Sequence, residues 1–355
     1  MNVLILTGKF GMGHISAAKA IKEQILKENP NCNIEIIDFI EYMFPKLKII
    51  IYGTFNFLVG KCHKLYNLLN HISSRHSSVP LKKIVIKKIN NLLTVNNIDL
   101  VISVLPICSQ YISAYKKMFN KDIPLNTCIT DVLVHEEWIT DETNLYFVSS
   151  TCTKDILISK KVDENKIIVS GIPVLDSFKN NDNKKYENDL LIMGGGLGLI
   201  PSLNTFLNNI REYNNIKITI IAGSNKNLYN KLTKKYPDIN IVGFTNNVAE
   251  YLKNSKIIIT KPGGITLFES IESNTPLLVI NPFLSQEIGN AKYIENNNIG
   301  KVIWKKDKNI SKTIINLINS DTELNNMKNN MQTIKNNLTK LSFTTRYNIR
   351  GENHG

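Results

Sequence analysis

Residues 260–290 read TKPGGITLFESIESNTPLLVINPFLSQEIGN and alternate between strand-like and helix-like patterns. The run that ends at Thr260 is strand-like, Gly263 and Gly264 form a turn, and a short helix and a second strand precede a loop. A helix that begins directly after glycines presents unpaired N–H groups and a partial positive charge, and glycine lets an anion approach the backbone. We therefore predict a phosphate-binding site at this turn.

Two pairs of polar residues in the same stretch suggest further contacts. Thr266 and Glu269 have the T-x-x-E spacing of a capping box, in which Glu269 would only cap the helix. Alternatively, the Glu269 carboxylate could hold the two ribose hydroxyls of a nucleotide, as acidic residues do in other nucleotide-binding folds. The spacing leaves both interpretations open. Gln286 and Glu287 form an adjacent pair in the predicted loop, and such a pair suits a polyhydroxylated group.

The N-terminus repeats the order of strand, glycine turn, helix and strand. Residues 3–7 are strand-like, GKFGMGH follows at 8–14, and a helical pattern runs to Asn29 before a second strand at 33–40. This order predicts a βαβ unit with parallel strands. His14 lies at the predicted helix start, where the helix N-terminus disfavours imidazolium, so a neutral ring could act as a general base. A histidine that only caps the turn is the alternative.

The glycine turns do not complete a known nucleotide fingerprint. Gly11 and Gly13 begin a G-x-G-x-x-G pattern, but residue 16 is serine. Asp38, near the end of the second strand, could still bind a ribose, which leaves a nicotinamide cofactor as an alternative. The second half opens with GGGLG at 194–198, where Gly194 and Gly195 leave room for a phosphate or for a neighbouring loop. A tight strand-to-helix turn is the simpler alternative.

The repetition of this order predicts an α/β chain with two Rossmann-like domains, and 355 residues are enough for two. We place an N-terminal domain at 1–177, an Asn/Lys-rich linker at 178–188, a C-terminal domain at 189–330, and a helix and tail at 331–355. In such folds the main cleft lies at the carboxyl ends of the parallel strands.

The formal net charge of +13 is concentrated in one segment. Residues 42–98 contain nine Lys and Arg residues, several aromatics, and no Asp or Glu. This composition is typical of an interfacial segment on an anionic bilayer. A core helix with solvated lysines and a nucleic-acid surface are the alternatives, although no nucleic-acid recognition motif is present. The predicted membrane contacts are Lys46, Lys48, Phe55, Phe57, Lys61, Lys64, Lys82, Lys83, Lys87 and Lys88.

Other features argue against several protein classes. No apolar run reaches the ~18–20 residues of a membrane span, and no basic segment precedes the first strand, so we expect a cytoplasmic protein. The five scattered cysteines favour neither a zinc site nor a disulfide framework. Residues 130–138, TDVLVHEEW, gather Asp131, His135 and two glutamates after a strand, but a third well-spaced metal ligand is missing. We expect no metal and no cofactor.

Several motifs together resemble a known family. They are GMGHISAAKAI at 11–21, TDVLVHEEW at 130–138, SGIPV at 170–174, MGGGLG at 193–198, and TKPGGITLFESI with NPFLSQEIGNAKYI from 260 onward. They are similar to the motifs of the monogalactosyldiacylglycerol synthase and processive diacylglycerol glucosyltransferase family, which has the GT-B fold of two Rossmann-like domains facing across a cleft. The resemblance implies an inverting transfer of a hexose from UDP-glucose or UDP-galactose to a diacylglycerol-type lipid at the cytoplasmic membrane face.

The resemblance also implies roles for individual residues. His14 would deprotonate the acceptor hydroxyl. The acceptor side would further include Gly11, Gly13, Asp131 and His135. The donor would be bound by Phe244 beside the uracil, Glu269 at the ribose, Gly264, Ile265 and Thr266 at the diphosphate together with Gly194, Gly195 and Gly263, and Gln286 and Glu287 at the sugar hydroxyls. A UDP-sugar epimerase on the same fold and a membrane-bound UDP-sugar sensor without turnover are the alternatives.

Overall fold

The chain forms two compact units. The computed structural model describes residues 1–61, 82–179, 186–196, 198, 207, 208, 210, 216–280, 282, 284–304, 310–340 and 342–344. The first unit comprises Met1–Leu175 and Leu338–Gly355, and the second comprises Asp176–Asn337. Each unit has a parallel sheet of six strands, which confirms the α/β prediction.

The sheet of the first unit has the strand order β2-β1-β3-β4-β5-β6. Most of its strand residues are buried because helices cover both faces, as is usual for parallel sheets, and the strand Asn33–Asp38 at the sheet edge is more exposed. The order reverses direction between β1 and β3, so a crevice is expected outside the carboxyl ends of these two strands. The strands are β1 (Asn2–Thr7), β2 (Asn33–Asp38), β3 (Leu100–Ser103), β4 (Leu125–Cys128), β5 (Leu145–Val148) and β6 (Ile167–Val169).

The helices of this unit begin and end at recognisable signals. Pro106 starts the helix after β3, and Asn120, at φ 48°, ends it in the left-handed conformation. The Ser150 side chain accepts a hydrogen bond from the Thr153 N–H and so caps the helix after β5. The helices are α1 (Gly13–Glu28), α2 (Phe39–Met43), α3 (Lys48–Lys61), α4 (Lys82–Val95), α5 (Pro106–Phe119) and α6 (Thr151–Ser159).

The sheet of the second unit has the order β12-β11-β10-β7-β8-β9, which is the 3-2-1-4-5-6 order of dinucleotide-binding folds. Its direction reverses between β7 and β10. The strands are β7 (Asn188–Met193), β8 (Ile218–Ile221), β9 (Asn240–Val242), β10 (Ser255–Thr260), β11 (Leu277–Ile280) and β12 (Gly300–Ile303). The helices are α7 (Lys226–Lys235), α8 (Val248–Lys253), α9 (Gly264–Glu272), α10 (Ser285–Asn296), α11 (Ile310–Ile318) and α12 (Asp321–Asn337).

The end of the chain differs from the sequence expectation. Helix α12 continues across the predicted boundary at 330 and belongs to the second unit, whereas the residues after it belong to the first. Phe343 is buried, and its ring centroid lies 4.2 Å from that of Phe147. The Phe343 carbonyl also accepts a 2.9 Å hydrogen bond from the Asn126 side chain. This terminal segment therefore contributes to the core of the first unit.

Candidate functional site

His14 lies at the point where the strand order of the first sheet reverses. It is the second residue of α1, after a loop in which Gly11 has a φ of +84° that a residue with a Cβ rarely adopts. The ring Nδ1 lies 3.2 Å from the Thr130 Oγ1, just beyond β4, and the ring is also hydrogen-bonded to the backbone of Val104, just beyond β3. His14 is thus held by the ends of two neighbouring strands.

Its surroundings keep the His14 imidazole neutral. Burial lowers the pKa of His14 from 6.5 to about 4 and outweighs the bond with Val104, which raises it. The position in the first turn of α1 acts in the same direction, because a helix N-terminus repels a positive charge. At neutral pH the ring is therefore uncharged, as a general base requires.

The loop after β4 is fixed through its backbone. The Ser149 Oγ donates a hydrogen bond to the carbonyl of Asp131 (3.2 Å), and the Thr153 Oγ1 donates one to the carbonyl of Val132 (2.9 Å). The buried Nε2 of His135 has no hydrogen-bond partner among the described residues. The loop therefore brings Thr130, and with it the neighbouring Asp131, to the side of His14, while the roles of Asp131 and His135 remain predictions.

Asp38 has a structural role. It is the N-cap of α2, and its Oδ1 accepts hydrogen bonds from the Glu41 N–H (3.0 Å) and the Tyr52 hydroxyl (2.5 Å). These contacts occupy Oδ1, whereas the buried Oδ2 has no hydrogen-bond partner among the described residues and lies 3.7 Å from the Lys9 Nζ. Asp38 therefore caps α2 with one oxygen, and its binding of a ribose stays an untested alternative.

Helix α3 is tied to the loop that precedes His14. The Tyr52 hydroxyl accepts a hydrogen bond from the Lys9 N–H (3.0 Å) in addition to the bond it donates to Asp38. The ring of Phe10 packs edge-on against Tyr52 and against Phe55, with both centroid distances at 5.1 Å. Phe55 is therefore only partly exposed, because its ring packs against the loop, and its contact with a membrane stays a prediction.

The opposite face of α3 is apolar and exposed. Ile49, Ile50 and Phe57 are 79%, 64% and 55% exposed, and Leu47 just before the helix is 47% exposed. Contiguous exposed apolar side chains of this kind mark surfaces that bind a partner or a membrane. Phe57 is exposed, so its membrane contact stays a prediction, and Ile49 and Ile50 are exposed as well although they are not among the predicted contacts.

The predicted basic residues fall into three groups. Lys46, Lys82, Lys83 and Lys87 are exposed on α4 or just before α3. Lys48 and Lys88 are engaged within the unit: Lys48 pairs with Glu41, and the Lys88 Nζ donates a 2.9 Å hydrogen bond to the carbonyl of Met43 at the end of α2. The Lys61 side chain and all of Lys64 lie outside the described residues.

The predicted phosphate turn lies at the reversal point of the second sheet. Helix α9 begins at Gly264 with Gly263 as its N-cap, and no side chain caps it. The first bond of the helix runs from the Leu267 N–H to the carbonyl of Gly263, so the N–H groups of Gly264, Ile265 and Thr266 have no partner within the helix. These are the three residues that the family resemblance assigns to the diphosphate.

Glu269 lies one turn further along α9 and is buried. Since the N-cap is Gly263, Thr266 stands inside the helix, and the capping-box interpretation of Thr266 and Glu269 is wrong. Burial raises the pKa of Glu269 from 4.5 to about 7. Burying a charged carboxylate costs free energy, and hydroxyl groups that donate hydrogen bonds to it, such as those of a ribose, offset that cost.

The glycine loop after β7 packs closely against the loop after β8. A Cβ on Gly198, whose φ is +62°, would come within 2.1 Å of the Ala222 carbonyl oxygen. The carbonyl of Gly196 accepts hydrogen bonds from both the backbone N–H (3.0 Å) and the hydroxyl (2.8 Å) of Ser224. The later glycines of this loop therefore serve packing, and Gly194 and Gly195 lie at the carboxyl end of β7, beside β10.

Gln286 and Glu287 occupy the first turn of α10 and not a loop as predicted. The Asn290 side chain donates a 2.9 Å hydrogen bond to the carbonyl of Pro262, which holds this helix against the phosphate turn. The Gln286 Oε1 and the Glu287 Oε2 are buried and lack hydrogen-bond partners in the part of the chain that the structure describes. Unpartnered buried acceptors of this kind are suited to the hydroxyls of a ligand.

Phe244 and Lys261 are two further residues of the second unit that could contact a ligand. Phe244 follows β9, and its ring is 58% exposed, so its predicted place beside a uracil is untested. Lys261 was overlooked in the sequence, although a lysine between a strand end and a Pro-Gly-Gly turn is itself a signal for an anion. Its Nζ lies 3.6 Å from the Glu287 Oε1.

Among the described residues, no cluster of three or more His, Cys, Asp and Glu side chains could hold a metal ion. No helix within the described ranges combines the length and the apolar character needed to cross a membrane.

Comparison with known proteins gives matches over both units. Residues 14–174 match the family model of monogalactosyldiacylglycerol synthase, and residues 190–342 match the model of the glycosyltransferase family 28 C-terminal domain. The processive diacylglycerol beta-glucosyltransferase of Staphylococcus epidermidis is 29% identical over 378 aligned positions, which cover 97% of this chain and 90% of the relative.

Solved structures show the same fold at low sequence identity. MurG of Acinetobacter baumannii superposes with a TM-score of 0.61 at 13% identity, covering 98% of both chains. The UDP-GlcNAc 2-epimerase of Neisseria meningitidis, bound to UDP-GlcNAc, gives a TM-score of 0.60 at 17% identity, covering 95% of this chain and 97% of the epimerase. The two family models match in order along the chain, and the chain is therefore a GT-B glycosyltransferase whose first unit matches the monogalactosyldiacylglycerol synthase family and whose second unit matches the C-terminal domain of glycosyltransferase family 28.

Proposed function

We propose that this protein transfers glucose or galactose from a UDP-sugar to a diacylglycerol-type lipid, with inversion at the anomeric carbon, at the cytoplasmic face of a membrane. The observation that carries the proposal is a set of polar groups at and near the start of α9 in the second unit. The N–H groups of Gly264–Thr266 have no partner within the helix, Glu269 is a buried carboxyl, and one buried oxygen of Glu287 has no hydrogen-bond partner among the described residues; these groups suit the diphosphate, ribose and sugar of a nucleotide sugar.

In the proposed reaction, His14 takes the proton from the acceptor hydroxyl. The oxygen then forms a bond to the anomeric carbon from the face opposite UDP, and the bond between that carbon and the diphosphate oxygen breaks. The electron pair leaves with UDP, and the proton stays on the imidazole. The N–H groups of Gly264, Ile265 and Thr266 stabilise the charge that develops on the leaving diphosphate. The neutral state of His14 supports the first step.

The remaining donor contacts follow the family resemblance. Phe244 stacks beside the uracil, Glu269 accepts from the ribose hydroxyls, Gly194 and Gly195 border the diphosphate, and Gln286 and Glu287 bind the hydroxyls of the sugar. The burial of Glu269 and Glu287 supports their roles, because a ligand hydroxyl would satisfy each carboxylate.

The lipid acceptor is reached through a membrane-docking face on the first unit. We assign this face to Leu47, Ile49, Ile50 and Phe57, which are exposed and apolar, with the exposed lysines of α4 beside the anionic headgroups. A diacylglycerol acceptor is favoured because the S. epidermidis relative is named for it. That name specifies glucose and the matched family model specifies galactose, so both sugars are candidates.

The direct test is an assay of the purified protein with vesicles that contain diacylglycerol and an anionic lipid. UDP-glucose and UDP-galactose are supplied separately, and mass spectrometry detects hexosyl-diacylglycerol while UDP release is followed in parallel. We expect one UDP to be released for each hexose transferred to lipid, and neither UDP nor product without diacylglycerol. Binding of the UDP-sugar with no product under any condition would contradict transfer and favour the sensor.

A UDP-sugar epimerase is the second candidate, because the epimerase of N. meningitidis shares the fold. An epimerase would convert the sugar nucleotide without a lipid acceptor. Analysis of the sugar nucleotide pool in vesicle-free reactions distinguishes the two, since the transferase leaves the supplied UDP-sugar unchanged there.

A further inference from the structure

Lys261 occupies a position in the second unit that the roles above leave unexplained. It follows β10 directly, at the edge of the sheet where the strand order reverses and where β7 ends in the glycine loop. Its backbone carbonyl accepts a 2.9 Å hydrogen bond from the Gly263 N–H, the N-cap of α9. The lysine is therefore built into the turn from which the unpaired N–H groups of α9 project.

The Lys261 side chain runs between two parts of the donor site. Its Cε lies 3.4 Å from the place that a Cβ on Gly195 would occupy, so the chain passes directly over the glycine loop. Its Nζ then reaches to 3.6 Å from the Glu287 Oε1. This distance exceeds that of a hydrogen bond, so the ammonium pairs with the carboxylate electrostatically and keeps its donors for a closer partner.

The charges around this ammonium are complementary to a diphosphate. Glu287 is buried, and its second oxygen has no partner within the described residues. The Lys261 ammonium and the Glu287 carboxylate cancel in charge, and the start of α9 adds a partial positive charge of about half a unit, so the corner is net positive. An anionic group placed at the glycine loop would have backbone donors on one side and a cation on the other.

We propose that Lys261 is the cationic group that binds the diphosphate of the donor, and that its pairing with Glu287 links this diphosphate to the residue that holds the sugar. The inference rests on the proposed use of a UDP-sugar. It adds a residue that contacts the leaving group, so that charge developing on UDP during transfer is met by an ammonium as well as by helix dipoles.

The test compares the affinities of UDP and uridine for the full-length Lys261→Met variant, measured by isothermal titration and by ligand-observed NMR. Methionine keeps the length and apolar stem of lysine and removes the charge. The UDP affinity is expected to fall roughly 10- to 100-fold, the range for a lost charge-assisted hydrogen bond, while the uridine affinity stays unchanged. Lys256→Met is the matched control, because Lys256 lies at the other end of β10 and pairs with Asp189 at 2.9 Å.

The possible outcomes separate the role of Lys261 from the proposed function. Unchanged UDP affinity in Lys261→Met would overturn the role of Lys261 and leave the proposed function intact. Equal losses of UDP and uridine affinity would also overturn it, because the lysine would then maintain the whole nucleotide site. Failure of the unaltered protein to bind UDP at all would instead contradict the proposed function. A partial recovery of UDP affinity in Lys261→Arg, which restores the charge, would support the assignment.

Discussion

The reversal points of the two sheets hold different kinds of group. In the first unit, His14 is half-buried, contacts Thr130 and Val104, and has a pKa lowered to about 4, and the buried Oγ1 of Thr7 at the end of β1 has no hydrogen-bond partner among the described residues. In the second unit, the first three N–H groups of α9 have no partner within the helix, and one buried oxygen of Glu287 has no hydrogen-bond partner among the described residues. Unsatisfied polar groups cost stability and persist where a ligand completes them. Under the proposed function, the second unit binds the donor and the first unit supplies the base.

The largest expected effect is on turnover, and it concerns His14 in the first unit. His14→Ala should lower turnover by ~10²–10⁴-fold, the usual contribution of a general base. Turnover is measured as UDP released per enzyme in the presence of diacylglycerol vesicles. Ala17→Gly, one turn further along α1, is the control for damage to the helix, because it alters the same element without touching the ring. Turnover of His14→Ala within the range of the control would remove His14 as the base.

The features that could be predicted from the sequence are those that a local pattern of residues determines. Both parallel sheets followed from apolar runs alternating with helical periods, and the start of α9 followed from the two glycines. The packing of Phe55 and the burial of Phe343 depend on residues far away in the chain, Phe10 and Phe147. Such contacts leave no periodic signal in the sequence.

Local rules also failed where two of them competed. Thr266 and Glu269 satisfy the spacing of a capping box, but Gly263 begins the helix one turn earlier and takes the N-cap position. Gln286 and Glu287 were expected in a loop, whereas they open α10. In both cases the element that presents the residues differs from the prediction, and the roles of the residues stay predictions.

The next effect concerns how the first unit reaches its acceptor. Replacing Ile49, Ile50 and Phe57 together by serine should weaken binding to anionic vesicles by more than about tenfold, since each buried apolar side chain contributes ~1.5–3 kcal/mol. Flotation with vesicles measures the change. Binding that survives this triple replacement would contradict the docking face.

Two control variants sharpen the membrane experiment. Serine at Met118 and Phe119, which are exposed at the end of α5, should leave vesicle binding unchanged. Glutamine at Lys82, Lys83 and Lys87 should reduce binding in a way that disappears at high salt, because those residues act through the surface potential.

The smallest expected effect is on the pH dependence of the free energy of unfolding, and its sign differs between Glu269 and His14. The pKa of Glu269 is raised from 4.5 to about 7, so the folded protein binds the extra proton in this window and stability falls as pH rises through it. The pKa of His14 is lowered from 6.5 to about 4, so stability falls as pH drops through that window. The free energy of unfolding, measured with urea across pH, should vary less in Glu269→Gln between pH 4.5 and about 7, and less in His14→Ala between pH 6.5 and about 4. An unchanged pH dependence of the free energy of unfolding in either variant would show that the group is not buried as described.

The division of labour between the units is tested most directly by UDP titration into two single variants under identical conditions. Glu269→Ala is expected to weaken UDP binding by roughly 10- to 100-fold, because a hydrogen-bonded carboxylate is lost. His14→Ala is expected to bind UDP as tightly as the unaltered protein. Loss of UDP affinity in His14→Ala, or its retention in Glu269→Ala, would contradict the assignment of ligand binding to the second unit and of the base to the first.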